Sequence, residues 1–225
     1  MSSSLPVRGS IPEIIMNDDN LYQGNLIGYF RNMFNYAANL NHPYHNFRHL
    51  CHILYLCYQA CLYYEGKMTP RQMRNLLIAA LFHDFGHSGQ VSPDNINIGR
   101  SIAALKNYLK PEDQTEFEEI SNLIKATEFP YTIPDDEVSL AGQIIRDADL
   151  SQALSSSWIQ QVVFGLATEW GKQPIEVLKI QEPFLRKLKF HTTWAKTCFP
   201  PEDVAAKIIE ARRLVDLLTS ETAST

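Results

Sequence analysis

Residue types that bind metal ions occur at the ends of three apolar segments of this chain. His83 and Asp84 follow the run NLLIAALF, so a buried segment ends in an imidazole and a carboxylate. Burying a carboxylate without a partner is costly, and a cation, an arginine or a set of helix-terminal amides could neutralise Asp84. His45 and His49 lie four residues apart, on one face of a predicted helix. Asp149 follows a further apolar run, and together these residues suggest a metallohydrolase.

Taken alone, each position also has an ordinary structural interpretation. His45 and His49 would then be hydrogen-bonded, partly buried histidines at the start of a helix. Asp84 would be neutralised by backbone amides or by an arginine. The three segments together favour a metal site, because imidazole and carboxylate groups are the donors that divalent cations such as zinc bind.

The composition excludes several classes of function. The 225 residues carry a formal net charge of −5, which argues against a broad nucleic-acid-binding surface. The longest apolar stretches are interrupted well short of a membrane span, and the first residues lack the apolar core of a signal peptide. The 4 cysteines show no CxxC spacing and are interpreted as free thiols in a reducing compartment. We therefore expect a cytoplasmic protein without nucleic-acid or membrane partners.

Apolar residues recur at spacings of three and four along most of the chain, which predicts an all-α protein. The predicted helices cover residues 21–39, 47–64, 71–84, 98–109, 115–127, 137–148, 158–170, 175–197 and 202–218. Asp135 and Thr69 are candidate caps of the helices that follow them, and Pro70 and Pro201 suit first turns. No window alternates convincingly with period two. We predict a poorly ordered segment over residues 1–18 and one compact domain over residues 19–220.

Five segments resemble, in order, the HD superfamily of metal-dependent phosphohydrolases, and within it the catalytic domain of class I 3′,5′-cyclic nucleotide phosphodiesterases. PYHNFRHL resembles the HNxxH motif of that family, and LFHDFGHSG resembles its HDxxHxG motif. LIKATEF, RDADLSQ and IQEPFLRKLKFHTTWAKTCFP resemble later segments of the family. The resemblance runs from about residue 42 to residue 201 and implies a compact helical catalytic domain over residues 19–220.

The resemblance implies a metal-dependent phosphoric ester hydrolase with a defined ligand set. His49, His83, Asp84 and Asp149 would hold a first metal ion, and Asp84 would also bridge to a second. Zinc suits the nitrogen- and oxygen-rich first site, with iron as an alternative, and magnesium or manganese suits a second site bound mostly by water. A hydroxide between the two ions would attack phosphorus, because a bound metal lowers the pKa of water to about 7.

The resemblance also implies roles around the metal ions. His45 would protonate the leaving ribose oxygen as a general acid, although the sequence does not identify the acid that orients it. His87 and Glu128 would orient waters or metal ligands. Gln181 would read the edge of a purine, and Phe184 would stack on the base. In the alternative interpretation, Gln181 is an exposed helix residue and Phe184 belongs to the core.

We therefore expect hydrolysis of 3′,5′-cyclic purine nucleotides to 5′-monophosphates, with a small-molecule nucleotide as the substrate. A generic HD phosphohydrolase acting on nucleoside monophosphates would use the same ligands, with Gln181 and Phe184 incidental. A catalytically degenerate HD domain would instead serve as a binding module. An HD-type di-iron oxygenase needs additional histidines between Asp84 and Asp149, and the presence of His87 alone disfavours it.

Overall fold

The computed structural model describes residues 9–220, and every regular element in that part of the chain is helical. We number the α-helices α1 to α11 in chain order: Ile11–Met16, Ile27–Tyr36, Phe47–Tyr63, Pro70–Phe82, Asp94–Tyr108, Phe117–Lys125, Leu140–Leu150, Gly165–Trp170, Pro174–Lys187, Thr193–Cys198 and Pro201–Ser220. A π-helical turn, Ile159–Phe164, leads into α8. The all-α prediction is confirmed. Within residues 9–220 no helix has the length and apolar character needed to cross a membrane.

Helix α4 forms the centre of the main core. Residues 73–82 are all buried, and α3, α6 and α7 pack around them. Thr69 caps the helix by accepting a hydrogen bond from the backbone N–H of Gln72, and Pro70 occupies the first turn, as predicted. A helix with apolar side chains on every face is stable only when it is surrounded by protein. Its end, and His83 with it, is therefore delivered to the interior.

A smaller apolar cluster lies beside this core. It is formed by side chains of the π-helical turn, α8, α9 and α11, and it includes the buried Trp158. Helix α11 packs along α9. A cavity of about 420 Å³ opens where the start of α3 and the ends of α4 and α7 face α8 and α9. The cavity is therefore lined by helices that are distant from one another in the sequence.

The helix predicted over residues 175–197 is in fact two helices, α9 and α10. Residues 188–192 separate them, because the carboxylate of Asp147 on α7 holds this stretch of backbone. It accepts hydrogen bonds from the N–H groups of His191 and Thr192 at 2.9 and 2.8 Å, and from the Thr192 hydroxyl at 2.7 Å. Backbone donors that are bonded to another helix cannot continue a helix of their own.

The expectation for the N-terminal segment, residues 1–18, is corrected in part. Residues 1–8 lie outside the described residues. Helix α1 begins at Ile11 and buries Ile14 and Ile15 in the main core. Burial of these two isoleucines packs the short helix against the main core. The polar and proline-bearing composition of the segment did not suggest this contact.

Candidate metal centre and adjoining cavity

Three helix ends bring the predicted metal-binding side chains to one point. His49 lies in the first turn of α3, where the Asn46 side chain caps the helix and accepts a hydrogen bond from the His49 N–H. His83 and Asp84 follow the last turn of α4, and Asp149 lies in the last turn of α7. Because α3 and α7 both pack on α4, these helix ends lie next to one another.

Four potential ligand atoms are clustered there. Asp84 Oδ2 lies 3.2 Å from His49 Nε2 and 3.2 Å from His83 Nε2. Asp149 Oδ1 lies 3.2 Å from His49 Nε2 and 4.0 Å from His83 Nε2, and the two imidazole nitrogens are 3.3 Å apart. Ligands that share one zinc ion at about 2.1 Å lie roughly 3 to 4 Å from one another. His49, His83 and Asp149 have donor atoms within 4.8 Å of one another and so fit a single divalent cation, and Asp84 Oδ2 lies beside the two imidazole nitrogens.

Hydrogen bonds determine which nitrogen of each imidazole faces the cluster. His49 Nδ1 donates to Oε1 of Gln152 over 2.6 Å, and His83 Nδ1 donates to the backbone carbonyl of Ala80 over 2.9 Å. A carbonyl oxygen only accepts, so each neutral ring carries its proton on Nδ1 and turns the Nε2 lone pair toward the cluster. Metal-binding histidines are oriented in this way. Within residues 9–220, Asp84 Oδ2 is a buried acceptor without a hydrogen-bond donor.

The electrostatics of the cluster favour positive charge between its carboxylates. Burial lowers the pKa of His49, but close contacts with the carboxylates of Asp149 and Asp84 outweigh burial and raise that pKa to about 10. Burial raises the pKa of Asp84, but the positive charge of His83 and the close contact with His49 Nε2 hold that pKa well below its ordinary value. The Asp84 carboxylate is therefore ionised and attracts a cation.

The end of α7 places side chains in three directions. Arg146 is buried and donates to the backbone carbonyls of Ala126 and Ile133 at 2.6 and 3.0 Å, which holds the loop after α6. Asp147 holds the segment before α10, as described above. Asp149, two residues after Asp147, faces the cluster. The end of α7 therefore fixes the relative positions of the cluster, the loop after α6 and the segment before α10.

His45 and Glu169 form a second polar pair beside the cluster. His45 Nδ1 is 2.6 Å from Glu169 Oε2, and Glu169 Oε1 accepts from the backbone N–H groups of Tyr44 and His45 at 2.8 and 2.9 Å. Burial raises the pKa of Glu169, but the hydrogen bond with His45 and its charge outweigh burial and lower that pKa. Glu169 is therefore ionised at neutral pH, and His45 keeps its Nε2 available to the cavity.

Glu169 reaches His45 because the backbone of α8 lies close to the segment before α3. A Cβ on Gly165, at the start of α8, would lie 2.9 Å from the carbonyl oxygen of Pro43 and 3.1 Å from the Cβ of Tyr44. Glycine therefore lets the segment before α3 rest on this helix, one turn from Glu169. Glu169 is the acid that the sequence did not identify. It is separated from His45 by 124 positions, and no local pattern marks it.

The two residues expected to orient waters or ligands lie in different surroundings. His87 stacks on His45, with ring centroids 3.5 Å apart and an angle of 21° between the planes. Burial, together with the charge of His45, lowers the pKa of His87 to about 4, so His87 is neutral. Glu128 does not line the cavity, and its Oε2 accepts from the Thr132 hydroxyl at 3.3 Å. The structure brings His87 to the site and leaves Glu128 outside it.

Gln181 and Phe184 line the same cavity from α9. Gln181 is buried, so the alternative in which it is an exposed helix residue is wrong. Its Nε2 donates to the carbonyl of Val177 at 3.2 Å, whereas its Oε1 is buried without a partner among the described residues. Other apolar side chains that line the cavity are Leu166, Trp170 and Ile180. The cavity is thus lined both by carboxylates of the cluster and by largely apolar side chains of α8 and α9.

Two further residues of the cavity, Asp94 and Phe129, were not identified from the sequence. Asp94 begins α5, and its Oδ2 accepts from the backbone N–H of Phe129 at 2.8 Å. Burial raises the pKa of Asp94 despite this hydrogen bond, and the charges of Asp84 and Asp149 add to the rise. An acid in the first turn of a helix is common and carries no functional signal by itself.

The fold and the site define an all-helical protein in which His49, His83 and Asp149, with Asp84 beside the two imidazoles, could hold a metal ion next to a cavity. Residues 44–156, half of the chain, match the family model described as 3'5'-cyclic nucleotide phosphodiesterase. The chain belongs to this family. Membership implies a hydrolase that acts on phosphodiester bonds. A search of curated proteins found no match.

Replacing His49 by alanine should remove most of the bound metal, because it deletes one of the clustered nitrogens and leaves the carboxylates without that partner. Metal content of purified protein is measured by mass spectrometry after gel filtration. His52→Ala is the matched control, since His52 lies one turn further along α3 and is not in the cluster. Equal metal content in wild type and His49→Ala would contradict the ligand set.

Proposed function

We propose that this protein is a metal-dependent phosphodiesterase that hydrolyses 3′,5′-cyclic purine nucleotides to 5′-monophosphates. The observation that carries the proposal is a single cavity lined by Asp84, Asp149 and His45 as well as by Gln181 and Phe184. Its volume of about 420 Å³ suits a small-molecule ligand. Residues 19–220 are proposed as the catalytic domain.

His49, His83, Asp84 and Asp149 are the proposed protein ligands of a divalent cation. Two nitrogen and two oxygen donors suit zinc, with iron as an alternative, and a more hydrated position beside Asp84 would suit magnesium or manganese. The bound metal would supply a nucleophile at neutral pH by lowering the pKa of water, and it would neutralise phosphate oxygens. The protein contributes ligand orientation through hydrogen bonds such as that between His49 and Gln152.

The leaving ribose oxygen needs a proton, and His45 is the proposed donor. Glu169 holds His45 Nδ1, so a protonated ring presents Nε2–H to the cavity. As the bond between phosphorus and the 3′ oxygen breaks, this proton passes to the oxygen and gives the alcohol. The neutral ring then recovers a proton from solvent. Glu169 stabilises the charged ring and fixes its orientation.

The part of the cavity lined by Gln181 and Phe184 is the proposed base site. Among residues 9–220, Gln181 Oε1 is a buried acceptor without a donor, so a ligand N–H at this point would relieve an unpaired polar atom. The amino group of adenine and N1–H of guanine are donors of this kind. Phe184 lies three residues further along α9 and offers an aromatic surface for stacking in the same cavity.

The proposal is tested with a panel of phosphate esters and several divalent ions. Purified protein should convert cyclic AMP or cyclic GMP to the 5′-monophosphate, as followed by liquid chromatography, and EDTA should abolish the reaction. Phosphate release from nucleoside monophosphates without cleavage of cyclic nucleotides would contradict the proposal and favour a generic phosphomonoesterase. Nucleotide binding without turnover under any metal condition would favour a binding module.

Replacing His45 by asparagine should lower kcat for cyclic AMP by roughly 100- to 10,000-fold, because the alkoxide then leaves without general acid catalysis. Bis(p-nitrophenyl) phosphate should lose much less activity, since p-nitrophenolate leaves without protonation. Glu169→Gln should act in the same direction with a smaller loss. Metal content, measured in parallel, should stay at the wild-type level. Equal losses on both substrates would exclude a proton-donating role for His45.

Replacing Gln181 by alanine should raise KM for cyclic AMP and cyclic GMP by about tenfold, because one buried hydrogen bond to the base is lost. Steady-state kinetics with bis(p-nitrophenyl) phosphate should stay unchanged, since that substrate has no purine edge. Gln160→Ala serves as the control, because Gln160 is exposed and does not line the cavity. A parallel loss on cyclic nucleotides and on the chromogenic diester would count against base recognition by Gln181.

A further inference from the structure

Asn39 is a buried polar side chain to which the proposed mechanism assigns no role. It lies in the segment between α2 and α3 and is 0% exposed. Burying an amide group costs free energy unless its polar atoms are hydrogen-bonded. The hydrogen-bond partners of Asn39 therefore show which parts of the protein this side chain holds together.

The Asn39 amide is hydrogen-bonded to the backbone on two sides of the candidate site. Its Nδ2 donates to the carbonyl oxygen of His45 at 2.9 Å, and its Oδ1 accepts from the N–H of Gly86 at 3.1 Å. His45 is the proposed proton donor, and Gly86 lies two residues after the proposed ligand Asp84. One side chain thus joins the backbone of the general acid to the turn that carries a metal ligand.

The two segments that Asn39 joins also lie against each other. The His45 ring stacks on His87, and a Cβ on Gly89 would lie 2.8 Å from Nδ1 of His42. Van der Waals contacts of this kind are not directional, whereas hydrogen bonds are, so the hydrogen bonds fix how the two backbones are aligned. Asn39 therefore determines where His45 lies along the turn that follows α4.

Each of the two segments also has an anchor of its own on another helix. Ser101 Oγ on α5 donates to the carbonyl of His83 at 2.7 Å and so holds the turn after α4. Glu169 on α8 holds both the ring and the backbone N–H of His45. Without Asn39, the metal ligands would stay with α4 and α5, whereas His45 would follow α8. A displacement of about 1 Å in a reacting group can slow catalysis roughly 100-fold.

We propose that Asn39 is a positioning residue that sets the place of the general acid His45 relative to the metal ligand Asp84. The proposal rests on the proposed function and deepens it, because it names the contact that aligns the proton donor with the metal centre. Asn39 does not line the cavity, so its effect reaches the substrate through His45. Its loss should therefore impair the departure of a leaving group that needs a proton.

Replacing Asn39 by alanine should lower kcat for cyclic AMP roughly 10- to 100-fold, because His45 is then displaced from the leaving oxygen. The kcat for bis(p-nitrophenyl) phosphate and the metal content should stay within about twofold of wild type. In the His45→Asn background the same substitution should cause no further loss for cyclic AMP, since a residue that acts through His45 has no proton donor left to position.

A measurement independent of turnover tests the hydrogen bond between Asn39 and Gly86. The Gly86 amide proton, followed by NMR, should exchange with solvent about tenfold faster in Asn39→Ala, because its acceptor is gone. Asn39→Leu removes the same hydrogen bonds but keeps a branched side chain of similar shape. It should reproduce both the kinetic loss and the faster exchange, which separates hydrogen bonding from the filling of space.

Asn17→Ala is the matched control. Asn17 is likewise buried, and its amide donates to the backbone carbonyls of Tyr22 and Gly24, none of which lines the cavity. This variant should lower the melting temperature, because a buried amide is lost. It should leave the ratio of the two kcat values and the exchange of the Gly86 amide unchanged.

The outcomes distinguish this role of Asn39 from the proposed function. Wild-type protein that cleaves cyclic AMP, together with multiplicative losses from Asn39→Ala and His45→Asn, would overturn the positioning role alone. Equal slowing of cyclic AMP and of the chromogenic diester, wild-type kinetics in Asn39→Leu, or unchanged exchange of the Gly86 amide would also overturn it. If wild-type protein cleaves no cyclic nucleotide, the proposed function falls, and the positioning role falls with it.

Discussion

The close approach of two carboxylates to two imidazoles inside the protein is the constraint on which the rest of the structure depends. His49 Nε2 lies 3.2 Å from Asp84 Oδ2 and 3.2 Å from Asp149 Oδ1, and His49 and His83 are both buried. Charges in such a setting are tolerated only when opposite charge or well-placed hydrogen bonds compensate them. Binding of a cation would join the ends of α3, α4 and α7, so it would stabilise the fold as well as enable chemistry.

The central position of α4 explains how the cluster can exist. Because residues 76–82 of the helix are apolar on every face and α3, α6 and α7 surround the helix, its last turn opens into the interior and not into solvent. His83 then finds a backbone carbonyl of its own last turn, that of Ala80, which directs Nε2 outward from the helix. The same burial that stabilises the core therefore orients a candidate metal ligand.

The cavity separates the tasks that the proposed reaction requires. The clustered donors lie where three helices end, and the His45–Glu169 pair depends on contact between α8 and the segment before α3. The proposed base site is lined by α9 and by the loop after α6. Arg146 and Asp147, which neighbour Asp149 in sequence, tie that loop and the segment before α10 to the same helix end. A shift of α7 would consequently disturb both parts of the cavity.

The sequence by itself determined the helical class, most helix positions and the four clustered donors. Those features depend on periodic burial and on short motifs, which are local properties, so the spacing of His45 and His49 or the adjacency of His83 and Asp84 could be read directly. Only the tertiary structure decided which distant groups meet. Glu169 beside His45, the two-helix arrangement caused by Asp147, and the pairing of Phe129 with Phe184 all join separated parts of the chain.

Glu128 is the opposite case, because the sequence predicted it at the site and the structure places it outside. Its motif predicted a place at the site, but the path of the loop after α6 pairs its carboxylate with Thr132 and brings Phe129 to the cavity instead. Residue type and spacing determine which chemical groups a chain has available. Helix packing and loop paths decide which of those groups share a site, because they depend on contacts between residues that no local pattern relates.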